Sequence, residues 1–599
     1  MTETLSTGAE QVRWNLDDLY TGLDDSALER DLTAPLADAE GFAARYRNRV
    51  GELDAQALAA ACAHQEAVYT PLRRAEAYAF LRFSADTSDE ASGALLSRVE
   101  EQMTAASNLL LFFELEWAAV EDERAARLLD DEAVGGYRHH LESLRRYRPH
   151  LRTEGEEQVM RELAQTGQAA WGRLFTLQTS AITVAFDGAE RTLDEALSGL
   201  FDRDRARRRR AQEAVTEALA RDLPTRVFIM NTLLQDKAIV DRLRRHPHWL
   251  HSRNLENDAD DEQVEALVKA VTGRYDIVAR YYRLKARLLG LDELYDYDRY
   301  APLPAGEEHL ISWDDARDIV LGAYREFSPE MSDLAGTFFE RGWIDAPAAP
   351  GKRGGAFAHD VTPDVHPYVL LNFTGRPRDV MTLAHELGHG IHMRLSQSQT
   401  LFNAATPLTT AETASIFGET VTLARLMAEA SDPLARLNLI TQRLDDTFAS
   451  IFRQVAMNRF EQAVHTARRD RGELSASAIA DAWMSTQREM FGDSVTLTDG
   501  YASWWSYIPH FIEAPGYVYA YAFGNLLAFA LYRTYEEQGP EVVPRYLEML
   551  RAGGSQSPNE LARRAGVDLT DPGFWDSGLD VLAAEVADAE RLADEIAQQ

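Results

Sequence analysis

The stretch MTLAHELGHGIH, residues 381–392, places His385 and His389 four residues apart with Glu386 directly after the first. Pro377 and Asp379 precede it, and both residue types are typical of the first turn of an α-helix. Apolar residues then recur at helical spacing, namely Val380, Leu383, Leu387 and Ile391. The pattern therefore predicts a helix with one apolar face.

His385 and His389 lie on one face of this predicted helix, so both can bind a single metal ion. Glu386 projects about 100° round from His385 and can reach a water on that ion without being a ligand. An ordinary helix with three titratable side chains is the alternative. Burying two imidazoles on a largely apolar helix without a partner is costly, which favours the metal site.

A catalytic zinc ion needs a third protein ligand and keeps its fourth position open for water. His392 is the nearest candidate, but it lies about 10 Å along the helix axis from His385, so one ion cannot bind both. The next predicted helix, within PLTTAETASIFGETVTLARLMAEA (407–430), presents Glu412 and Glu419 on nearly one face. Either glutamate can reach back to the metal, and spacing alone leaves the choice open.

Helical periodicity runs through most of the 599 residues, which predicts a mainly α fold. The clearest runs are residues 92–120, 262–290 and 434–469. Only TSAITVAFDG (179–188) and HPYVLLNF (366–373) read as strands, and APAAPGKRGGAFAHD (346–360) is the strongest loop signal. We expect a domain boundary near residue 200, with a mostly helical region, 1–200, before it.

The chain carries 62 Lys and Arg against 96 Asp and Glu, a net charge of −34. Such a surface repels phosphate backbones and anionic lipid, which argues against nucleic acid and membranes as partners. The run Arg207 to Arg210 has acidic neighbours and is interpreted as a solvated helix face. The N-terminal segment lacks signal-peptide features and no long apolar run is present, so we expect a soluble cytoplasmic protein.

A second group of histidines occurs in RRHPHWLHSRN, as His246, His248 and His251. Pro247 interrupts regular spacing there, and no carboxylate or cysteine sits nearby in a ligand pattern. These histidines are therefore interpreted as structural.

Several motifs together resemble the thimet oligopeptidase and oligoendopeptidase F family of zinc metallopeptidases. They are LAHELGHGIH followed by AETAS and Glu419, the longer segment HPYVLLNFTGRPRDVMTLAHELGHGIH, and YIPHFIEAPGYVYAYAFGNLL near the end. WNLDDLY near the N-terminus is similar to the start of the oligoendopeptidase F branch. The motifs are spread over most of the chain in the family's order, which makes the resemblance specific.

The resemblance implies a large helical metallopeptidase with a deep substrate channel and a small β-sheet beside the HExxH helix. Residues 201–599 would form its catalytic domain. One zinc ion per chain is implied, with Glu412 as third ligand beside His385 and His389. Glu419 would hydrogen-bond a ligand imidazole and so hold its tautomer.

The parts fit peptide hydrolysis, because zinc lowers the pKa of its bound water and Glu386 can take the proton as that water attacks. The oxyanion that forms needs a further donor. Candidates occur late in the chain at His510, Tyr517, Tyr519 and Tyr521. By resemblance, His510 and Tyr517 contact the oxyanion and substrate, and Tyr521 binds substrate. If the resemblance is set aside, the pattern of this tyrosine-rich stretch indicates a core helix.

The predicted function is therefore a zinc-dependent endopeptidase acting on short oligopeptides. The strand YVLLNF is expected to be an edge strand that pairs with an extended peptide. Two alternatives remain open at this point. One is a dipeptidyl carboxypeptidase-type exopeptidase with the same metal site, and the other is a catalytically silent peptide-binding protein.

Overall fold

The computed structural model describes residues 7–303, 310–571 and 573–598. Residues 1–6, part of the segment that lacks signal-peptide features, lie outside the described residues. Over these described residues the structure is 73% helical, with one two-stranded and one three-stranded sheet. The predicted mainly α fold is confirmed.

Contacts divide the chain into two units, each discontinuous in sequence. The first comprises Met1–Pro149, Glu308–Glu429 and Ala528–Leu569, and the second comprises His150–Glu307, Ala430–Leu527 and Thr570–Gln599. The boundary near residue 200, by contrast, separates two continuous segments. It stays a prediction.

The first unit begins with helices and continues into a small sheet and further helices. Its elements are α1 (Ser26–Tyr46), α2 (Ala55–Ala85), α3 (Glu90–Ala119), α4 (Asp122–Leu129), α5 (Arg138–Arg146), α14 (Trp313–Phe327), α15 (Pro329–Glu340), β3 (Ile344–Pro347), β4 (Phe357–His359), β5 (Tyr368–Phe373), α16 (Pro377–Ser396), α17 (Leu401–Ala404), α18 (Leu408–Glu429), α24 (Val542–Arg551) and α25 (Pro558–Arg564).

Helices α1, α2 and α3 pack together, and an aspartate caps the N-terminus of each. Their buried faces form one apolar core that includes Phe42, Phe113 and Trp117. The amphipathic run 92–120 corresponds to α3, as predicted. This layer of helices buries the apolar stripes that periodicity indicates.

The three-stranded sheet has the order β3–β5–β4, with β5 parallel to β3 and antiparallel to β4. It packs on α16, so the predicted sheet beside the HExxH helix is confirmed. The prediction that YVLLNF is an edge strand is wrong, because β5 hydrogen-bonds to a neighbour on each side. The two edges belong to β3, which is buried, and to β4, which is half-buried.

The predicted loop 346–360 includes the end of β3 and all of β4, with irregular backbone over 348–356. Gly351 and Gly355 both adopt φ of +80°, a conformation that favours glycine. The Asn372 side-chain amide donates to the carbonyl oxygens of Arg353 and Gly355, at 2.9 and 2.7 Å. The loop is therefore tied to β5.

The second unit consists of helices and one two-stranded hairpin. Its elements are α6 (Glu154–Thr166), α7 (Gln168–Ser180), β1 (Thr183–Phe186), β2 (Ala189–Thr192), α8 (Leu193–Ser198), α9 (Arg205–Arg221), α10 (Leu223–Arg244), α11 (His251–Glu256), α12 (Asp261–Gly273), α13 (Tyr275–Leu288), α19 (Pro433–Ser450), α20 (Phe452–Arg471), α21 (Ala476–Phe491), α22 (His510–Glu513), α23 (Tyr519–Gln538, counted with the first unit from residue 528) and α26 (Phe574–Gln598).

Sequence periodicity predicted this unit well, with two differences. The runs 262–290 and 434–469 each form two helices, which meet at Arg274 and at Ile451. The interpretation of Arg207 to Arg210 as a solvated face is wrong for Arg208. Its side chain is buried and pairs with the buried Asp298 at 2.7 Å. None of the helices in the described ranges combines the length and apolar character that crossing a membrane requires.

Candidate metal centre

Helix α16 begins as the sequence predicts. The carboxylate of Asp379 accepts hydrogen bonds from the backbone N–H groups of Thr374 and Arg376, at 2.7 and 3.1 Å. The apolar stripe is fully buried, at Val380, Leu383, Leu387 and Ile391. Burial of that stripe turns His385 and His389 toward helix α18.

Glycines let α16 and α18 approach closely. A Cβ at Gly388 would lie 2.5 Å from the carbonyl oxygen of Ala414, and one at Gly418 would lie 3.0 Å from that of Ala384. Tyr324, on α14, donates its hydroxyl to the same carbonyl of Ala384. Sequence reasoning missed these positioning residues, although a glycine inside a helical pattern is a recognisable signal of close packing.

Three side chains converge where the helices cross. Nε2 of His385 and Nε2 of His389 lie 3.2 Å apart. Oε2 of Glu412 lies 3.3 Å from the first and 3.5 Å from the second. Ligand atoms about 2.0 Å from a tetrahedral zinc ion are themselves about 3.3 Å apart. The spacing and the donor set therefore fit a zinc ion.

Glu419 contacts the other side of the His385 ring. Its Oε1 accepts the hydrogen bond of Nδ1, which leaves the lone pair of the imidazole on Nε2, facing Glu412 and His389. Glu412 is itself held by the Ser415 hydroxyl, which donates to Oε2 at 3.0 Å. Sequence spacing does not distinguish Glu412 from Glu419, but in the structure they contact opposite nitrogens of the His385 ring.

The charges of this centre are strongly coupled. Burial opposes the charged form of His385, but Glu412 and Glu419 outweigh it and raise the pKa of His385 well above its usual range. Burial likewise opposes charge on Glu412, and the two histidines outweigh it and hold its pKa well below the usual range. Without metal, the centre therefore attracts a proton to the point that a cation would occupy.

Glu386 and His392 extend from the same helix. Glu386 is only 6% exposed, and its burial raises the pKa of the carboxyl. His392 is also buried, which lowers its pKa to about 3, and it does not belong to the group of converging ligand atoms. Together with His389 it lines a cavity of about 200 Å³ that extends to Thr362 and Ala411.

The late candidates form a separate cluster in the second unit. Tyr521 Oη lies 3.5 Å from Nε2 of His510, and the rings of Tyr517 and Tyr521 are 4.9 Å apart, edge to face. Tyr519 is different, since it is fully buried and its hydroxyl accepts a hydrogen bond from Asn257 at 2.9 Å. Tyr519 is thus committed to the core.

Comparison with known proteins identifies the family of the chain. The model of peptidase family M3 matches residues 200–581, more than half of the chain, and the model described as Oligopeptidase F matches residues 116–183. The chain belongs to peptidase family M3. It is therefore a peptide hydrolase of the metallopeptidase class, and the sequence resemblance is confirmed.

Similar proteins are known from several bacteria. Oligopeptidase PepF of Bacillus subtilis (strain 168) is 24% identical over 593 residues, covering 98% of this chain and 88% of its own. Group B oligopeptidase PepB of Streptococcus agalactiae is 25% identical over 609 residues, covering 99% of each. The crystal structure of oligoendopeptidase-F from Enterococcus faecium has a TM-score of 0.72 at 22% identity, covering 97% of this chain and 100% of its own.

Proposed function

We propose that this member of family M3 is a zinc-dependent metalloendopeptidase that hydrolyses peptide bonds within short oligopeptides. The observation that carries the proposal is the triangle of His385, His389 and Glu412 ligand atoms, with the buried Glu386 on the same helix. Two imidazoles and one carboxylate are a donor set that suits zinc and leaves one position open.

His385, His389 and Glu412 would hold the ion, and Glu419 would fix the tautomer and direction of the His385 ring. When bound, zinc would polarise the scissile carbonyl and lower the pKa of the attacking water. Glu386 then takes the proton of that water and delivers it to the leaving amine. Its burial favours this role, because a raised pKa moves a carboxyl toward the operating pH of a general base.

His510 and Tyr517 are proposed to donate hydrogen bonds to the oxyanion and the substrate, and Tyr521 to bind substrate. Support comes from their mutual contacts, which gather one imidazole and two phenols in one cluster. These donor types suit a developing negative charge. Tyr519 is left out of this group because its hydroxyl bonds to Asn257.

Oligopeptides, rather than folded proteins, are the proposed substrates, in line with the names of the relatives PepF and PepB. If an extended peptide pairs with the sheet beside α16, the half-buried edge strand β4 is the partner in place of β5. The deep channel and the cytoplasmic location remain predictions.

Replacing Glu386 with Gln tests the mechanism. The variant should keep zinc, since no ligand changes, and should lose hydrolysis of a quenched oligopeptide by at least about 100-fold because the base is gone. Glu340→Gln, an exposed position at the end of α15, is the matched control and should keep wild-type turnover. Zinc content and turnover are measured on the same preparations.

Wild-type turnover by the Glu386→Gln variant would refute this mechanism. A wild-type protein that binds no zinc when purified without chelator would instead support the silent peptide-binding alternative.

A further inference from the structure

Three histidines from separate segments of the second unit converge, and none of them belongs to the HExxH centre. His150 ends the short 3₁₀ turn Arg148–His150, His246 follows the end of α10, and His251 begins α11. One ring nitrogen from each lies within 4.8 Å of one from each of the others. The ring centroid of His150 lies 4.1 Å from that of His246 and 5.1 Å from that of His251.

Hydrogen bonds on the outer nitrogens fix two of these tautomers. Nδ1 of His150 lies 3.0 Å from the carbonyl oxygen of Arg244, which can only accept, so this nitrogen carries the proton. Nδ1 of His251 lies 2.8 Å from Oδ2 of Asp261 and donates in the same way. In both rings the lone pair is therefore on Nε2. Carbonyl and carboxylate acceptors of this kind typically stand behind histidines that bind metals.

His246 completes the group. Its Nδ1 is buried and has no hydrogen-bond partner among the described residues. A buried polar atom without a partner costs free energy, and a bound cation would remove that cost. His246 follows Arg245, which adopts the left-handed conformation with φ of 62° and ends α10.

His248 lies beside this group but has both nitrogens occupied. Its Nε2 donates to Asp261 at 2.8 Å, and its Nδ1 accepts from the backbone N–H of Leu250 at 3.3 Å. These bonds account for the contacts of His248, His251 and Asp261 without a metal ion. His248 therefore supplies a natural control for the other three histidines.

The electrostatic surroundings permit a cation. Asp261 contributes a negative charge directly behind His251. Lys237 pairs with Asp241, which also pairs with Arg469, and Arg244 pairs with Glu157.

We propose that His150, His246 and His251 bind a second transition-metal ion of the zinc type, distinct from the ion at His385, His389 and Glu412. Three imidazole donors suit zinc, cobalt and copper, with the fourth position filled by water. Ligand nitrogens around such an ion are about 3.3 Å apart. The rings of His150 and His246 are stacked with 21° between their planes, so binding requires one of them to turn out of the stack toward the ion. The ion would tie the start of the unit to α10 and α11 and stabilise their junction.

The sequence pattern indicated a structural role for His246, His248 and His251, because Pro247 interrupts regular spacing and no carboxylate or cysteine sits nearby in a ligand pattern. His150 lies far upstream and joins them only in the folded chain. The single zinc expected per chain accordingly counts the HExxH centre alone.

Counting metal ions on the purified full chain tests the proposal. After equilibration in buffered free zinc, wild-type protein should carry two ions per chain, and His246→Ala and His251→Ala should each carry one. Both variants should still hydrolyse a quenched oligopeptide, because the HExxH centre is intact. His248→Ala should retain two ions, since its ring is committed to Asp261 and Leu250.

A second measurement separates this site from the proposed catalytic one. In Glu412→Ala protein stripped with chelator, added Co²⁺ should produce the visible absorption of a four-coordinate site, and Zn²⁺ should raise the Tm through mass action. Adding His246→Ala to that variant should abolish both responses. Absence of both responses in Glu412→Ala protein, or a wild-type count of one that His246→Ala leaves unchanged, would overturn the second site. Neither outcome bears on catalysis at the centre formed by His385, His389 and Glu412.

Discussion

Glu412 and Glu419 illustrate how two identical side chains on one helix acquire different surroundings. Glu412 Oε2 faces the Nε2 atoms of His385 and His389, whereas Glu419 accepts from Nδ1 of His385 on the far side of the ring. Loss of a ligand removes an atom that binds the metal, whereas loss of an orienting residue removes only a hydrogen bond to a ligand that stays in place. This difference can be measured.

Glu412→Ala should lower zinc affinity severely, because one of three protein donors is lost. Glu419→Ala should weaken binding only about 10- to 100-fold, because His385 loses its orienting partner but remains a ligand. Competition with a graded series of chelators measures both affinities. Glu429→Ala, at the exposed end of the same helix, is the control and should bind zinc like the wild type. If Glu419→Ala were the zinc-free variant, the two roles would be exchanged.

At the scale of elements, the crossing of α16 and α18 determines the metal geometry. Gly388 lies against the backbone of Ala414 and Ser415, which immediately follow the turn that carries Glu412. Any side chain at residue 388 would separate the helices and move the carboxylate away from the histidines. The glycine is therefore as necessary to the centre as its ligands.

Gly388→Ala should destabilise the protein by about 1–3 kcal/mol, the usual cost of overpacking, and should weaken zinc binding. Gly336→Ala on α15 is the matched control, since no atom lies within 4 Å of the added methyl group. Because alanine favours helix over glycine, that variant should be as stable as wild type or more so. Thermal unfolding and zinc competition on both variants provide the measurement. Equal zinc affinity in the two would show that the close approach is dispensable.

Helix α20 carries a buried acid beside the segment that leads to Tyr517. Oε1 of Glu461 accepts from the backbone N–H of Gly516 at 2.8 Å, and Oε2 has no partner among the described residues. Burial raises the pKa of Glu461 to about 8, from 4.5 for the exposed group. Folding therefore favours the protonated acid.

This shift makes stability depend on pH. Both states bind the proton below pH 4.5, but from there to about pH 8 only the folded state holds it, so the contribution of Glu461 falls as pH rises. Glu461→Gln keeps the acceptor for Gly516 without the charge. Its Tm relative to wild type should therefore increase from pH 5 to pH 8 and level off above. Glu473→Gln, at an exposed position, should show a constant difference. A constant difference for Glu461→Gln as well would contradict a raised pKa.

At the scale of the whole molecule, the question is where in a peptide cleavage occurs. The relatives that match almost the entire chain are named oligopeptidases, a term that covers more than one cleavage mode. An endopeptidase needs no terminal carboxylate, whereas a carboxypeptidase binds one. Peptide termini therefore separate the proposed activity from its exopeptidase alternative.

A peptide acetylated at its N-terminus and amidated at its C-terminus should be cleaved internally, at a rate similar to the same peptide with a free carboxylate. Mass spectrometry of the products measures this. A folded protein containing the same sequence should resist cleavage if the implied channel limits access. Cleavage of the free-carboxylate peptide alone, releasing dipeptides, would favour the exopeptidase.

The sequence by itself determined the elements and the chemistry they can carry. Local periodicity predicts the apolar stripe of α16 and the strand at residues 368–373. It also places His385 and His389 on one face of the helix. Periodicity is local because backbone geometry sets it residue by residue. The family motifs added the identity of the peptidase family, and the match over residues 200–581 confirmed it.

Only the tertiary structure decided which segments meet. It separated the surroundings of Glu412 from those of Glu419, made β5 a central strand, buried Arg208 against Asp298 and brought His150 to His246. These outcomes depend on packing between residues that are distant in sequence, such as the helix crossing that Gly388 permits. Spacing along the chain carries no information about such contacts, because they arise when apolar faces are buried together and the polar groups between them must find partners.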